Sequence, residues 1–204
     1  MRLKHFCIIM VTAALVAALP LAAAADDVED QIKLGLKLYQ QGKYNQAAEE
    51  LEFALAQLRQ KKADSLTAVF PDAPSGWKAL EPESKSAASG LLGGGISASR
   101  DYRQQGGKGR ASIELMSDSP LIQSLGMMLS NPMFMQGNRG ARLVKVQGYK
   151  AMLRKTGRQG AELQALVEGK VLLKVSASRC QQPDQVVLQL AKKIDMNKLK
   201  KIIK

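Results

Sequence analysis

Four methionines fall within nine residues, at Met127, Met128, Met133 and Met135. Thioether sulfur is a soft ligand suited to Cu(I), so one reading of this cluster is a copper carrier. Methionine is also a gap-filler and an adaptable contact residue, and both readings stay open. Imidazole is not expected to assist either one, because the only histidine is His5, within the N-terminal 25 residues expected to be removed on maturation. Without histidine there is no Ser-His-Asp or Cys-His pair and no imidazole metal ligand. Glu81, Glu83, Asp101, Glu114 and Asp118 could supply a carboxylate pair for a small envelope hydrolase. Such chemistry needs two carboxyl groups at a set separation, and no spacing in the chain singles out two of these five. No cofactor is called for.

Ser75-Gly76-Trp77-Lys78 has the S-x-x-K form and Lys155-Thr156-Gly157 the K-T-G form seen in penicillin-binding proteins. That chemistry places the serine at a helix start with the lysine one turn on. Pro74 and Gly76 instead predict a turn, and no S-x-N element lies between the two motifs. Trp77, the only tryptophan, is expected to anchor its segment to the core, with ligand stacking as the other role for so large an aromatic. The C-terminal segment carries Lys192, Lys193, Lys198, Lys200, Lys201 and Lys204. These are the candidate binding residues, and Leu199, Ile202 and Ile203 give the segment an apolar side that could lie on a membrane interface.

These residues sit in an uneven charge distribution. Over 26–100, 9 Lys/Arg stand against 11 Asp/Glu; over 101–204, 19 stand against 7. The C-terminal half therefore attracts anionic surfaces through its long-range field. Nucleic acid is not expected as the target, since few aromatics are available there to stack on bases and the N-terminus directs export. Arg2 and Lys4 precede an apolar run over 6–19, then Pro20 and a row of small residues ending at Ala25. That order is a secretory signal peptide over 1–25, too short to span a bilayer. No cysteine follows the cleavage site, so a lipoprotein anchor is not expected, and the protein is placed in the periplasm or outside the cell. The mature chain keeps one cysteine, Cys180. It cannot form an internal disulfide but could link two chains.

The elements that position all this begin with two amphipathic helices over 26–69, joined by a turn at Gln41, Gly42 and Lys43. Leu34, Gly35, Leu38, Gly42, Tyr44, Ala47, Leu51, Ala54 and Leu55 occur in the order of a tetratricopeptide repeat, which this segment resembles. The resemblance covers one repeat, Arg59 stands where the repeat usually carries proline, and no second copy follows. A binding groove needs about three repeats, so peptide binding is not carried over. The hairpin is expected to dock on the main domain or on a second copy of itself.

A stretch rich in Pro, Gly and Ser over 70–95 reads as a linker leading into the main domain. Beyond it the apolar period changes to two. Ala111, Ile113 and Leu115 alternate with polar residues, as do Ala161, Leu163, Ala165 and Val167, and Val171, Leu173, Val175 and Ala177. Strands are predicted over 96–103, 110–116, 142–155 with a break at Gly148, 161–168 and 171–178. A helix is predicted over 120–129 with Ser119 as its N-cap, and another from Pro183, interrupted at Asp195 and Asn197 and resumed by Leu199, Ile202 and Ile203. The fold expected is α+β: an N-terminal helical hairpin followed by an antiparallel sheet over 96–204 with helices on one face. Pro74-Ser75-Gly76-Trp77, Asp118-Ser119-Pro120-Leu121, Asn131-Pro132 and Ile194-Asp195 resemble segments of uncharacterised exported bacterial proteins. The element order is similar to PsbP-like folds, a likeness of shape that transfers no site. Together these readings describe an exported, non-catalytic binding module. Its partner would be an acidic protein or an anionic membrane or envelope surface, with a homodimer through the hairpin or Cys180 also open.

Overall fold

The structure is a computed structural model that describes residues 27–87, 95–119, 122, 126 and 140–204. The signal segment over 1–25 and all four clustered methionines lie outside the described residues.

Two helices open the described chain, α1 (Asp27–Gln40) and α2 (Tyr44–Thr67). The turn between them closes on Gly42 at φ 75°, a left-handed conformation that costs glycine nothing. Gly35 faces Leu51: a Cβ at Gly35 would stand 2.8 Å from the Leu51 Cγ. The missing side chain is what lets α1 and α2 approach so closely.

Eight strands follow among the described residues: β1 (Trp77–Ala79), β2 (Glu83–Ala87), β3 (Gly95–Gln104), β4 (Arg110–Ser117), β5 (Ala141–Val146), β6 (Tyr149–Lys155), β7 (Gly160–Val167) and β8 (Val171–Ser178). They form one antiparallel sheet in the order β1-β3-β4-β8-β7-β6-β5, with β2 also paired along β3. Two helices close the chain, α3 (Pro183–Lys193) and α4 (Met196–Ile202). The fold is α+β, as the change of apolar period predicts. The stretch over 70–95 is more than a linker, because β1 and β2 lie inside it and share the free edge of β3.

One core lies on one face of the sheet. The inward residues of β3, β4, β7 and β8 meet Val187, Leu190 and Ala191 of α3, Leu199 of α4, and Ala63 and Leu66 of α2. Helix α3 lies across β4, β5, β7 and β8, and α2 across β2 and β3. Each fully buried leucine or valine contributes roughly 1.5–3 kcal/mol by leaving water. Helix α2 is thus divided: its last turns belong to the core, while its first turns hold only α1. On the opposite face, Gly126 comes up against Leu166, beside the buried Leu172 and Met152. Ile122 and Gly126 are helical; the rest of the helix expected over 120–129 lies outside the described residues.

Candidate functional site

Hairpin parity in an antiparallel sheet decides which turns share an end. The β5–β6 and β7–β8 turns fall at one end, and α3, which starts after β8 at the other end, runs back to meet them. Gln147, in the β5–β6 turn, donates from its side-chain amide to the carbonyl oxygens of Ala191 (3.0 Å) and Ile194 (2.9 Å). These are orphan carbonyls at the C-terminus of α3, which any helix must satisfy from outside. Lys170, in the β7–β8 turn, donates its Nζ to the Ile203 carbonyl at 3.2 Å beyond α4. Asp195 caps α4 by accepting from the Lys198 amide at 2.9 Å, while its own N–H donates to Val69 at 3.1 Å.

The result is a basic end. Lys192, Lys193, Lys198, Lys201 and Lys204 are exposed there, as are Lys145, Lys150 and Lys170. Sequence alone points to the first five but not to Lys170 in the β7–β8 turn, nor to Lys145 and Lys150 on β5 and β6, which flank the β5–β6 turn and, alternating with the core-facing Val144, Val146 and Ala151, project from the other face of the sheet. Alternation alone would have placed Lys145, Lys150 and Lys170 near turns; only the pairing of strands puts those turns beside α3 and α4.

Lys200 differs from its neighbours. It is half-buried, 5.4 Å from the centroid of the Tyr149 ring, and 3.6 Å from the Glu168 carboxylate. The Tyr149 hydroxyl donates to the same carboxylate. The hydrogen bond from Tyr149, with Lys200 nearby, holds the Glu168 carboxyl below its ordinary pKa. Contact with Tyr149, then with Glu168, raises Lys200, so it stays a cation. Among the described residues, Glu168 and Asp195 supply side-chain carboxylates at this end.

Leu199 and Ile203 are buried and Ile202 packs half-buried against the core. The apolar side read as available to a membrane is therefore spent on the protein interior. Trp77 sits in β1 opposite Gln104 and packs half-buried against the core.

A second cationic arrangement, not found from sequence, crosses the solvated face at the far end. Lys78, Arg103 and Arg110 are cross-strand partners on β1, β3 and β4. All three are exposed, and none has an ion-pair partner among the described residues. Like charges directly opposite one another in a sheet are unfavourable. Beside them Asp101, Arg103, Arg110, Ser112, Ser176 and Ser178 line a depression of about 300 Å³. Its floor is the hydroxyl pair Ser112 and Ser176, 2.8 Å apart.

The remaining candidates do not converge. Glu114 pairs with Lys174 at 3.5 Å, Asp118 with Lys62 at 2.8 Å and Glu83 with Lys85 at 3.6 Å. Ser75 lies in a turn and Lys78 in β1. Five strand intervals separate β1 from β6, about 24 Å at the usual spacing, so the S-x-x-K and K-T-G segments do not meet. Cys180 is 4% exposed, and burial pushes its thiol pKa up; linking two chains through it would require the fold to open. Comparison of the chain with protein-family models, curated proteins and solved structures returns no match in any of the three.

Proposed function

We propose that this is an exported, non-catalytic binding module whose basic C-terminal end engages an anionic membrane or envelope surface, with an acidic protein as the other partner of the same charge. The observation that carries the reading is the gathering of lysines from α3, α4 and the β7–β8 turn at one end of the sheet, with Lys145 and Lys150 beside the β5–β6 turn at the same end. Their backbone is held by packing and capping, so no ordering of a flexible tail has to accompany binding. Each lysine near an anionic bilayer adds about 1 kcal/mol, screened within about 10 Å at 0.1 M salt. With the apolar residues of α4 committed to the core, attachment is electrostatic and reversible, without insertion.

Flotation with liposomes tests this. Binding to anionic but not neutral vesicles is expected, reversed by high salt and weakened by Lys198→Gln, Lys201→Gln and Lys204→Gln together. Absence of binding to anionic vesicles at low salt rejects the lipid surface and leaves the acidic protein.

A further inference from the structure

The first half of the hairpin leaves large apolar side chains in water. Ile32, Leu36 and Tyr39 of α1 and Tyr44, Leu51, Leu55 and Leu58 of α2 are 41–65% exposed. Helical periodicity puts each set on one stripe. The two stripes adjoin, because Leu51 packs over Gly35 and the Tyr39 and Tyr44 rings are 5.6 Å apart. Leu34 and Phe53 are also exposed but lie off this face. At roughly 200 Å² of surface for each large side chain, half-exposure of seven leaves on the order of 700 Å² uncovered. An ordinary monomer's largest apolar patch is ~300–600 Å², and each partner in a standard interface contributes ~800 Å².

Charge says what covers it. Of the charges that flank these stripes at helical spacing, Glu29 precedes Lys33 and, in the turn, Lys43 along α1, and Glu52 precedes Arg59 along α2, while Lys62 is already paired with Asp118. Both helices pass from acidic to basic. Two copies laid antiparallel therefore set acid against base along both helices, with opposed helix dipoles. A uniformly acidic or basic partner would match only half of the face. An arrangement in which the same patch meets itself is an isologous two-fold contact.

We infer that the hairpin face is closed by the same face of a second copy of this chain, packed antiparallel about a two-fold axis. Sedimentation equilibrium on the purified, processed chain across the micromolar range tests it. The wild type is expected to sediment at twice the chain mass. Leu36→Glu with Leu55→Glu is expected to weaken association about 100-fold or more, because unpaired carboxylates would have to be buried in the contact. Both positions are exposed in the single chain, so the helical circular dichroism should be retained. If the glutamates disturb the hairpin, Leu36→Ser with Leu55→Ser gives the same comparison. A wild type that remains monomeric throughout overturns the inference, as does a folded variant that associates as tightly as the wild type.

Discussion

The Tyr102 hydroxyl, on a fully buried side chain, donates to the Pro71 carbonyl at 2.8 Å. This bond fastens the exit of α2 to the C-terminal part of β3. Arg100 reinforces it by donating to the same carbonyl at 3.2 Å and to Leu80 at 2.9 Å. Burial pushes the Tyr102 phenol up to about 12. Its folded pKa thus exceeds the unfolded value of about 10, so the folded state holds its proton longer. The stability this contributes is present below pH 10 and is lost as pH rises from 10 towards 12, on the order of 2–3 kcal/mol in all. Tyr102→Phe should cost about 1 kcal/mol at neutral pH, since the hydrogen bond goes. It should also flatten the alkaline fall relative to wild type in denaturant titrations at successive pH values. Parallel alkaline limbs would contradict the assignment.

Helix α2 is expected to be divisible. Removing 27–57 takes away α1 and the turns of α2 that hold only α1. It leaves Gln60 with its bonds to Ser84 and Ser86 (3.2 and 2.9 Å), and Ala63 and Leu66 in the core. That shortened chain should melt cooperatively. Removing 27–67 uncovers the core beneath Leu66 and should aggregate or lose the cooperative transition. Equal behaviour of the two truncations, followed by calorimetry, would show that the core does not use α2 in this way.

Gln147 has φ 48°, in the left-handed region that non-glycine residues enter at some cost, and it caps two carbonyls of α3. Gln147→Ala should destabilise by about 1–2 kcal/mol, because the C-terminal carbonyls of the helix lose their donor. Gln147→Gly loses the same bonds but relieves the backbone, so it should be milder than alanine. Chemical denaturation of the three proteins checks the order.

Glu168 partly neutralises the basic end. If that end binds anionic vesicles, Glu168→Gln should tighten binding by up to about tenfold, since one like-signed charge near an anionic surface is removed. The Glu168 pKa is depressed in the folded protein, so the wild-type carboxylate stays charged somewhat below the usual carboxylate range. The difference between wild type and variant should persist through mildly acidic pH and vanish only once Glu168 itself is protonated. Vesicle binding measured against pH separates these outcomes.

The alternation of Ala161, Leu163, Ala165 and Val167, and of Val171, Leu173, Val175 and Ala177, by itself determined two strands with one buried face. Each of these side chains is in the core, because a period of two puts alternate residues on one side whatever the partner strand is. The helical period likewise determined the hairpin, and lysine content the sign of the C-terminal half. Strand β2 was not legible. Glu-Ser-Lys-Ser-Ala carries no apolar alternation, and its place depends on backbone pairing with β3 and on Ser84 and Ser86 reaching Gln60 across 24 and 26 residues. The split of α2 into a core half and an uncovered half was also invisible, since its apolar residues recur along the whole helix without marking which sheet they meet. The same holds for the basic end and for the Lys78, Arg103 and Arg110 row. Local sequence sets which way a side chain points from its own backbone. Which charges become neighbours is decided by strand order and register, and those follow from contacts between residues far apart in the chain.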